Sequence, residues 1–424
     1  MIQALILYSV IFILGLLVYM FKPKMLFIYW MFIQPVLVPI VLYIFPIGIF
    51  EVFFEVYDQT YRAIALLFLV VLINEYRKGY KFHGFTLIML ALFLVFYLFL
   101  IQYPTVNLNN ITMLFCYIAP LMLLTMNISL CPDKDVFLKA IILLIILQGF
   151  FCLLNTMGFS VYPVTKLIGD SKYLQGTFPR YNHMTNVLTT IFAVLAFEYF
   201  GSTKKKSTIF ILTCIVGVIV FCSGAKMSVA QYFFILLACV LLYAKKYFVQ
   251  TLVSVIIFIL IAPTVFNSLS SLNSEGFNRI VDGFTEISTN KTKDDVSTVA
   301  LSTYLLTRKF DNPIFGNGYE GKNEMAYSYS NCTLSVFKSD ARIAFVIVDY
   351  GLMGFLLYFL FFKKAYKFSV NGLPVLQKRK ILFLFLCLIL QTITDKGLFD
   401  PTIFPYLFLY PYTLKYDSSY IKKV

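Results

Sequence analysis

Apolar residues in this chain come in long runs, and polar residues come in short clusters between them. A helix that crosses a membrane needs about 20 mostly apolar residues. Thirteen runs approach or reach that length: 2–21, 25–45, 60–74, 85–103, 110–130, 136–156, 184–200, 207–223, 227–244, 247–265, 341–362, 381–394 and 401–414. The third and the last two are short, so eleven or twelve spans also fit if some segments are re-entrant or interfacial. The runs are too continuous for the alternating pattern of a membrane β-barrel. Lipid admits only structures that satisfy their own backbone, which leaves helices. The pattern therefore predicts an all-α polytopic membrane protein with about 11–13 transmembrane helices.

One stretch breaks the pattern. Residues Asn267–Asp340 form the only long segment that is not apolar, about a sixth of the 424 residues. It divides the chain into an N-terminal helix bundle (1–266), a large water-facing loop (267–340) and C-terminal transmembrane helices (341–424). Within the loop, Phe277, Ile280, Val281, Phe284 and Ile287 recur at helical spacing, with Arg279, Asp282 and Glu286 on the other face. Val296, Val299, Ala300, Tyr304 and Leu305 predict a second short helix running towards Phe310. Such helices either lie in the headgroup layer or build a small folded cap. Further on, Asn312-Pro313-Ile314-Phe315-Gly316-Asn317-Gly318 reads as a tight turn, and its glycines suit positive φ or close backbone approach.

Composition agrees with the pattern. The chain is 60% hydrophobic and 13% charged, against about 45–50% and 25% for soluble domains. Its net charge of +14 is unevenly placed. Cytoplasmic connectors carry an excess of Lys and Arg. An outside N-terminus puts Lys22, Lys24, Arg77, Lys78, Lys81, Lys134, Lys139, Lys204–Lys206, Lys245, Lys246, the group from Lys363 to Lys380, Lys415, Lys422 and Lys423 on the inside. These are 21 of the 35 basic residues, accompanied by five of the 21 acidic ones. The positive charge is thus a topology signal and gives no reason to invoke nucleic acid. The segment Met1–Ala4 has no basic residue, so the first span is expected to be retained rather than cleaved. Eight cysteines show no CxxC spacing, so neither a disulfide framework nor a structural metal is expected.

The outward side holds the candidate chemistry. Arg180 lies in Gly176-Thr177-Phe178-Pro179-Arg180-Tyr181-Asn182-His183, just before a span. Lys226 lies in Ser223-Gly224-Ala225-Lys226 between two spans, and Arg308 follows the second loop helix. Arg binds two phosphate oxygens with its planar fork, and Lys acts as a point charge. Each is otherwise a snorkelling or solvated cation. Asp340 stands at the boundary between the loop and the next span, near Arg342; it suits a proton acceptor for a sugar hydroxyl or an ordinary helix N-cap. Asp349 lies about two turns into that span, where charges are rare. His183 can titrate near neutrality, although a lone His is commonly structural.

Taken in order, these segments resemble the bacterial O-antigen polymerase and O-antigen ligase superfamily, and its polymerase branch more closely. The resemblance rests on an Arg-bearing outward connector, Ser223-Gly-x-Lys226 at a turn, the loop motif Asn312-Pro313-(apolar)-(apolar)-Gly316-x-Gly318, and Ser339-Asp340 before a span containing Tyr350-Gly351-Leu352-Met353-Gly354. The architecture matches over most of the chain, and the motifs cover about fifty residues. Ligases of the family typically carry His where this chain has Asp340. The resemblance implies a metal-independent inverting glycosyltransferase of the bacterial inner (cytoplasmic) membrane, with no cofactor and with its active site facing the periplasm. The donor would be a glycan on undecaprenyl diphosphate and the acceptor a lipid-linked repeat unit, or lipid A–core in a ligase. Membrane lipid and a chain-length regulator protein are the further partners implied. In this reading Asp340 and Arg308 are catalytic, and Arg180, Lys226, Arg308 and His183 bind the diphosphate or glycan. A lipid-linked oligosaccharide flippase and a structural scaffold are the rivals, and the lack of an internal repeat speaks against an inverted-repeat transporter.

Overall fold

The computed structural model describes residues 2–44, 52–82, 91, 108–159, 174–178, 181–202, 205–223, 225, 227–243, 313–316, 342–394 and 403–416. The described residues are mostly helical and include no strand. The helices are α1 (Ile2–Phe21), α2 (Leu26–Phe32), α3 (Val38–Ile44), α4 (Val52–Arg77), α5 (Leu108–Met126), α6 (Lys134–Thr156), α7 (Tyr181–Tyr199), α8 (Lys206–Cys222), α9 (Met227–Tyr243), α10 (Arg342–Val370), α11 (Val375–Thr394) and α12 (Phe404–Tyr416). The runs 85–103, apart from Ala91, and 247–265 lie outside the described residues, as do both expected loop helices.

Among the described residues, two helical stretches are long and apolar enough to cross a membrane, Pro23–Ile44 and Lys134–Thr156, with mean hydropathy 2.1 and 2.6. The first is not one regular helix. A short 3-10 turn (Pro23–Met25) leads into α2, and a single π turn (Ile33–Leu37) separates α2 from α3. Pro35 lies inside that π turn. Proline has no N–H to give to the helix ladder, and a local widening absorbs the missing bond.

One of the two shortest apolar runs becomes the centre of the packing. Helix α12 has 13 residues, about 20 Å of helix, less than the roughly 30 Å of a hydrocarbon core. It touches α2, α5, α6, α7, α10 and α11. Phe404, Tyr406, Leu407, Tyr410, Tyr412 and Leu414 are almost wholly buried. Tyr406 Oη donates to the Met31 carbonyl at 3.0 Å. Helix α7 is similarly enclosed, with all but Asn182 buried from Tyr181 to Phe197. By contrast α1 and α8 turn Leu17, Phe21, Phe210 and Ile211 outward.

Charged side chains gather at one end of the bundle. Glu75, at the end of α4, is bonded by Lys78 Nζ at 2.6 Å, by Asn127 Nδ2 at 2.5 Å and by Tyr19 Oη. These come from the ends of α1, α4 and α5. Burial pushes the Glu75 carboxyl up, but the hydrogen bonds outweigh it and hold the group below the usual carboxylate value. The Glu75 contact in turn raises the Lys78 ammonium. Nearby, Lys24 reaches Asp133 at 3.4 Å. A second centre is Glu198 at the end of α7. It accepts from Lys134 Nζ at 2.7 Å, Lys380 Nζ at 2.9 Å and Tyr410 Oη at 2.7 Å. Every helix end in these two clusters belongs to the side that the Lys and Arg pattern calls cytoplasmic.

Candidate functional site

The opposite end of the bundle carries neutral polar groups. Three residues of α6, Gln148, Cys152 and Asn155, share one helical face by their spacing. They hold the short segment 174–178 that leads to α7. Gln148 Nε2 donates to Thr177 Oγ1 at 2.6 Å, and its Oε1 accepts from the Thr177 amide at 3.0 Å. Asn155 Oδ1 accepts from the amides of Gln175 and Gly176 at 3.1 and 2.8 Å. The Cys152 thiol lies against the Gly176 backbone. Gly176 takes φ +59°, and a Cβ there would overlap Gln148 Oε1. Gln148 is itself buried in an apolar run, and a buried amide is stable only when both its ends are bonded. Thr177 supplies both partners.

A second polar row runs between α7, α9 and α11. Ser228 Oγ donates to Thr185 Oγ1 at 2.9 Å and lies 3.4 Å from Asn186 Oδ1. Thr189 Oγ1 donates to Gln231 Oε1 at 2.6 Å. Gln231 Nε2 reaches the Cys387 carbonyl at 3.1 Å and Gln391 Oε1 at 3.3 Å. All of these side chains are buried. His183 is buried in the first turn of α7, two residues before Thr185. The row also ties two of the sequence motifs together. Ser228 follows Lys226 by two residues, and Thr185 follows His183 by two. At the neck between α8 and α9, Ser223 Oγ accepts from the Ala225 amide at 3.4 Å.

The third feature joins the polar loop to α10. Residues Pro313–Phe315 form a turn, and Gly316 has φ +85°, as the glycine pattern leads one to expect. The Pro313 carbonyl accepts from the Leu352 amide at 2.9 Å, and the Ile314 carbonyl accepts from the Met353 amide at 3.0 Å. Those amides are free for the turn because α10 is interrupted at Gly351, which has φ +67° and ψ −174°. Only glycine adopts that conformation readily.

Of the residues singled out from sequence, His183 is described. Arg180, Lys226, Arg308 and Asp340 lie outside the described residues, as does the side chain of Asp349. Sequence reasoning passed over Gln148, Asn155, Gln231 and Gln391. Their signal was present: each is a lone carboxamide inside or at the end of an apolar run, where polar groups are costly and face a partner. Among the described residues no three His, Cys, Asp or Glu side chains cluster as metal ligands. No protein-family model matches the chain, and no curated protein matches it.

Proposed function

We propose that the chain is a multi-pass inner-membrane polymerase of oligosaccharide repeat units, of the O-antigen polymerase and ligase type. It would transfer a glycan from undecaprenyl diphosphate to a lipid-linked repeat unit at the periplasmic face. The observation that carries this reading is the contact between Pro313–Gly316 and Gly351–Met353. These are two of the four motif segments on which the resemblance rests. They are 35 residues or more apart in the chain and are hydrogen-bonded in the fold. The clustering of basic helix ends on one side supports the multi-pass topology, with the polar loop on the other side.

In this mechanism, the hydroxyl of the acceptor sugar attacks the anomeric carbon of the donor and the diphosphate leaves. Arg180, Arg308 and Lys226 would offset the charge that develops on the leaving diphosphate. Asp340 would take the hydroxyl proton. The exchange is balanced: one C–O bond forms, one breaks, and the proton passes to a carboxylate.

The test is incubation of the purified protein with lipid-linked repeat units, read as a ladder on a gel. Wild-type protein should lengthen the glycan, and Asp340→Asn should not. Asn caps a helix about as well as Asp but is a poor base, so normal lengthening by Asp340→Asn would reject the catalytic role. A lipid-linked oligosaccharide flippase is the second reading. The interruption at Gly351 favours it, since broken helices line the substrate path of many transporters. Binding of lipid-linked glycan with no lengthening would decide for the flippase.

A further inference from the structure

The basic residues at the charged end of the bundle are not all used in the same way. Lys24, Lys78, Lys134 and Lys380 are paired with Asp133, Glu75 and Glu198. The end of the α10–α11 hairpin differs. From Lys363 to Lys380 the chain has six basic residues and no acidic one. Lys380 turns inward to Glu198. Lys363, Lys367, Lys378 and Arg379 are exposed, and none of the four pairs with a carboxylate among the described residues.

Their place on the helices says what they face. On α10, Leu356, Phe359, Lys363 and Lys367 follow one another at three- or four-residue spacing, so they share one helical face. All four are exposed. The Lys363 ammonium lies over the Phe359 ring, 5.9 Å from its centre, which ties the basic part of the face to the apolar part. On α11, Arg379, Leu382 and Leu386 repeat the arrangement, again exposed. The two helices pack on each other, with Tyr366 edge-on to Phe385 at 5.4 Å. In a bilayer an exposed apolar face meets acyl chains. Basic residues further along the same face then reach the headgroup level, where anionic lipid attracts them. A soluble anion would need no apolar face below the charges.

We propose that this end of the hairpin binds acidic phospholipid of the adjoining leaflet. The lipid phosphates lie at Lys363, Lys367 and Arg379, and the acyl chains run along the apolar residues of the same two faces. Each basic residue near an anionic membrane surface strengthens binding about fivefold. The site requires the bilayer setting of the proposed polymerase but not its reaction.

The experiment uses the full-length protein, with its native cysteines replaced and a fluorophore attached at Leu386→Cys, in phosphatidylcholine vesicles. Phosphatidylglycerol or phosphatidylcholine with brominated acyl chains is added as quencher. Half-quenching should come at an about fivefold lower mole fraction of the phosphatidylglycerol. The triple variant Lys363→Gln, Lys367→Gln and Arg379→Gln should respond equally to the two lipids. Lys22→Gln plus Arg77→Gln, which removes exposed charge on α4 and just after α1, should keep the preference. Equal quenching by both lipids in the parent protein would overturn the proposal. So would a preference that the triple variant retains, or one that both variants lose, since that is a diffuse surface-charge effect. Loss of the preference on adding inorganic phosphate at constant ionic strength would overturn it in favour of a soluble anion. Protein that enters the vesicles without the preference refutes this site alone, whereas protein that does not enter them refutes the bilayer setting as well.

Discussion

The Glu198 cluster allows a sharp test of how this bundle is held together. One carboxylate, almost fully buried, meets two ammonium groups and a phenol from α6, α11 and α12. The two lysines are not equivalent. The Lys380 side chain is 5% exposed, whereas that of Lys134 is 19% exposed and retains some access to water. Replacing Glu198 by Gln keeps the shape and removes the negative charge. Two positive groups then remain together, and Lys380 is almost closed off from solvent. Leaving a buried charge unpaired costs about 3–5 kcal/mol, a large part of the roughly 5–15 kcal/mol that keeps a domain folded.

Lys380→Met should behave differently. Glu198 would keep Lys134 at 2.7 Å and the Tyr410 hydroxyl at 2.7 Å, so its charge stays compensated. The methionine fills the lysine's volume with apolar atoms, and swaps of buried ion pairs for hydrophobic residues are often neutral. The loss should be about 1 kcal/mol or less. The double variant Glu198→Gln plus Lys380→Met should then be more stable than Glu198→Gln alone, because the remaining ammonium, Lys134, can hydrate. Stability is read as the fraction of monodisperse protein after graded heating in one detergent. Equal stability of Glu198→Gln and Lys380→Met would refute this account of the cluster. So would a double variant that loses the sum of the two single losses, since groups in one network should not be additive.

Two further outcomes follow from the polar ends of the bundle. Glu75 is held below the usual carboxylate value, so its contribution to stability is full above about pH 4.5 and is lost as pH falls through the depressed value. Acid unfolding followed by tryptophan fluorescence should therefore be less steep in Glu75→Gln than in the wild type, and equal slopes would refute the assignment. At the other end, Gln148→Leu removes both partners of Thr177, which is buried. That should cost about 1–3 kcal/mol and open the 174–178 segment to amide exchange, whereas unchanged exchange there would show that the pair does not hold it.

The sequence pattern located the helices better than it located their ends. The runs 2–21, 136–156, 184–200, 207–223 and 227–244 agree with α1 and α6–α9 to within three residues. The runs 60–74 and 381–394 were too short, because hydropathy stops at charged residues while the helix does not. Helix α4 extends to Val52 and Arg77, and α11 begins at Val375, six residues before its apolar run. In α11 the added turns include Gln377 and Lys380, both buried. Lys380 can be helical and buried because Glu198 waits for it across the bundle, and no local pattern records a partner 182 residues away.

The same limit explains what was hidden at the other end. A glutamine such as Gln148 is visible as an exception in an apolar run, so its importance is legible. Its role is not, because the partner is a main-chain amide and a hydroxyl 29 residues later. The Gly351 break is the clearer case. Tyr350-Gly351-Leu352-Met353-Gly354 reads locally as helix with two small residues, and α10 continues on both sides of it. Glycine permits the interruption but does not require it. What fixes it is the pair of carbonyls brought by Pro313 and Ile314, which satisfy the amides that the helix gives up.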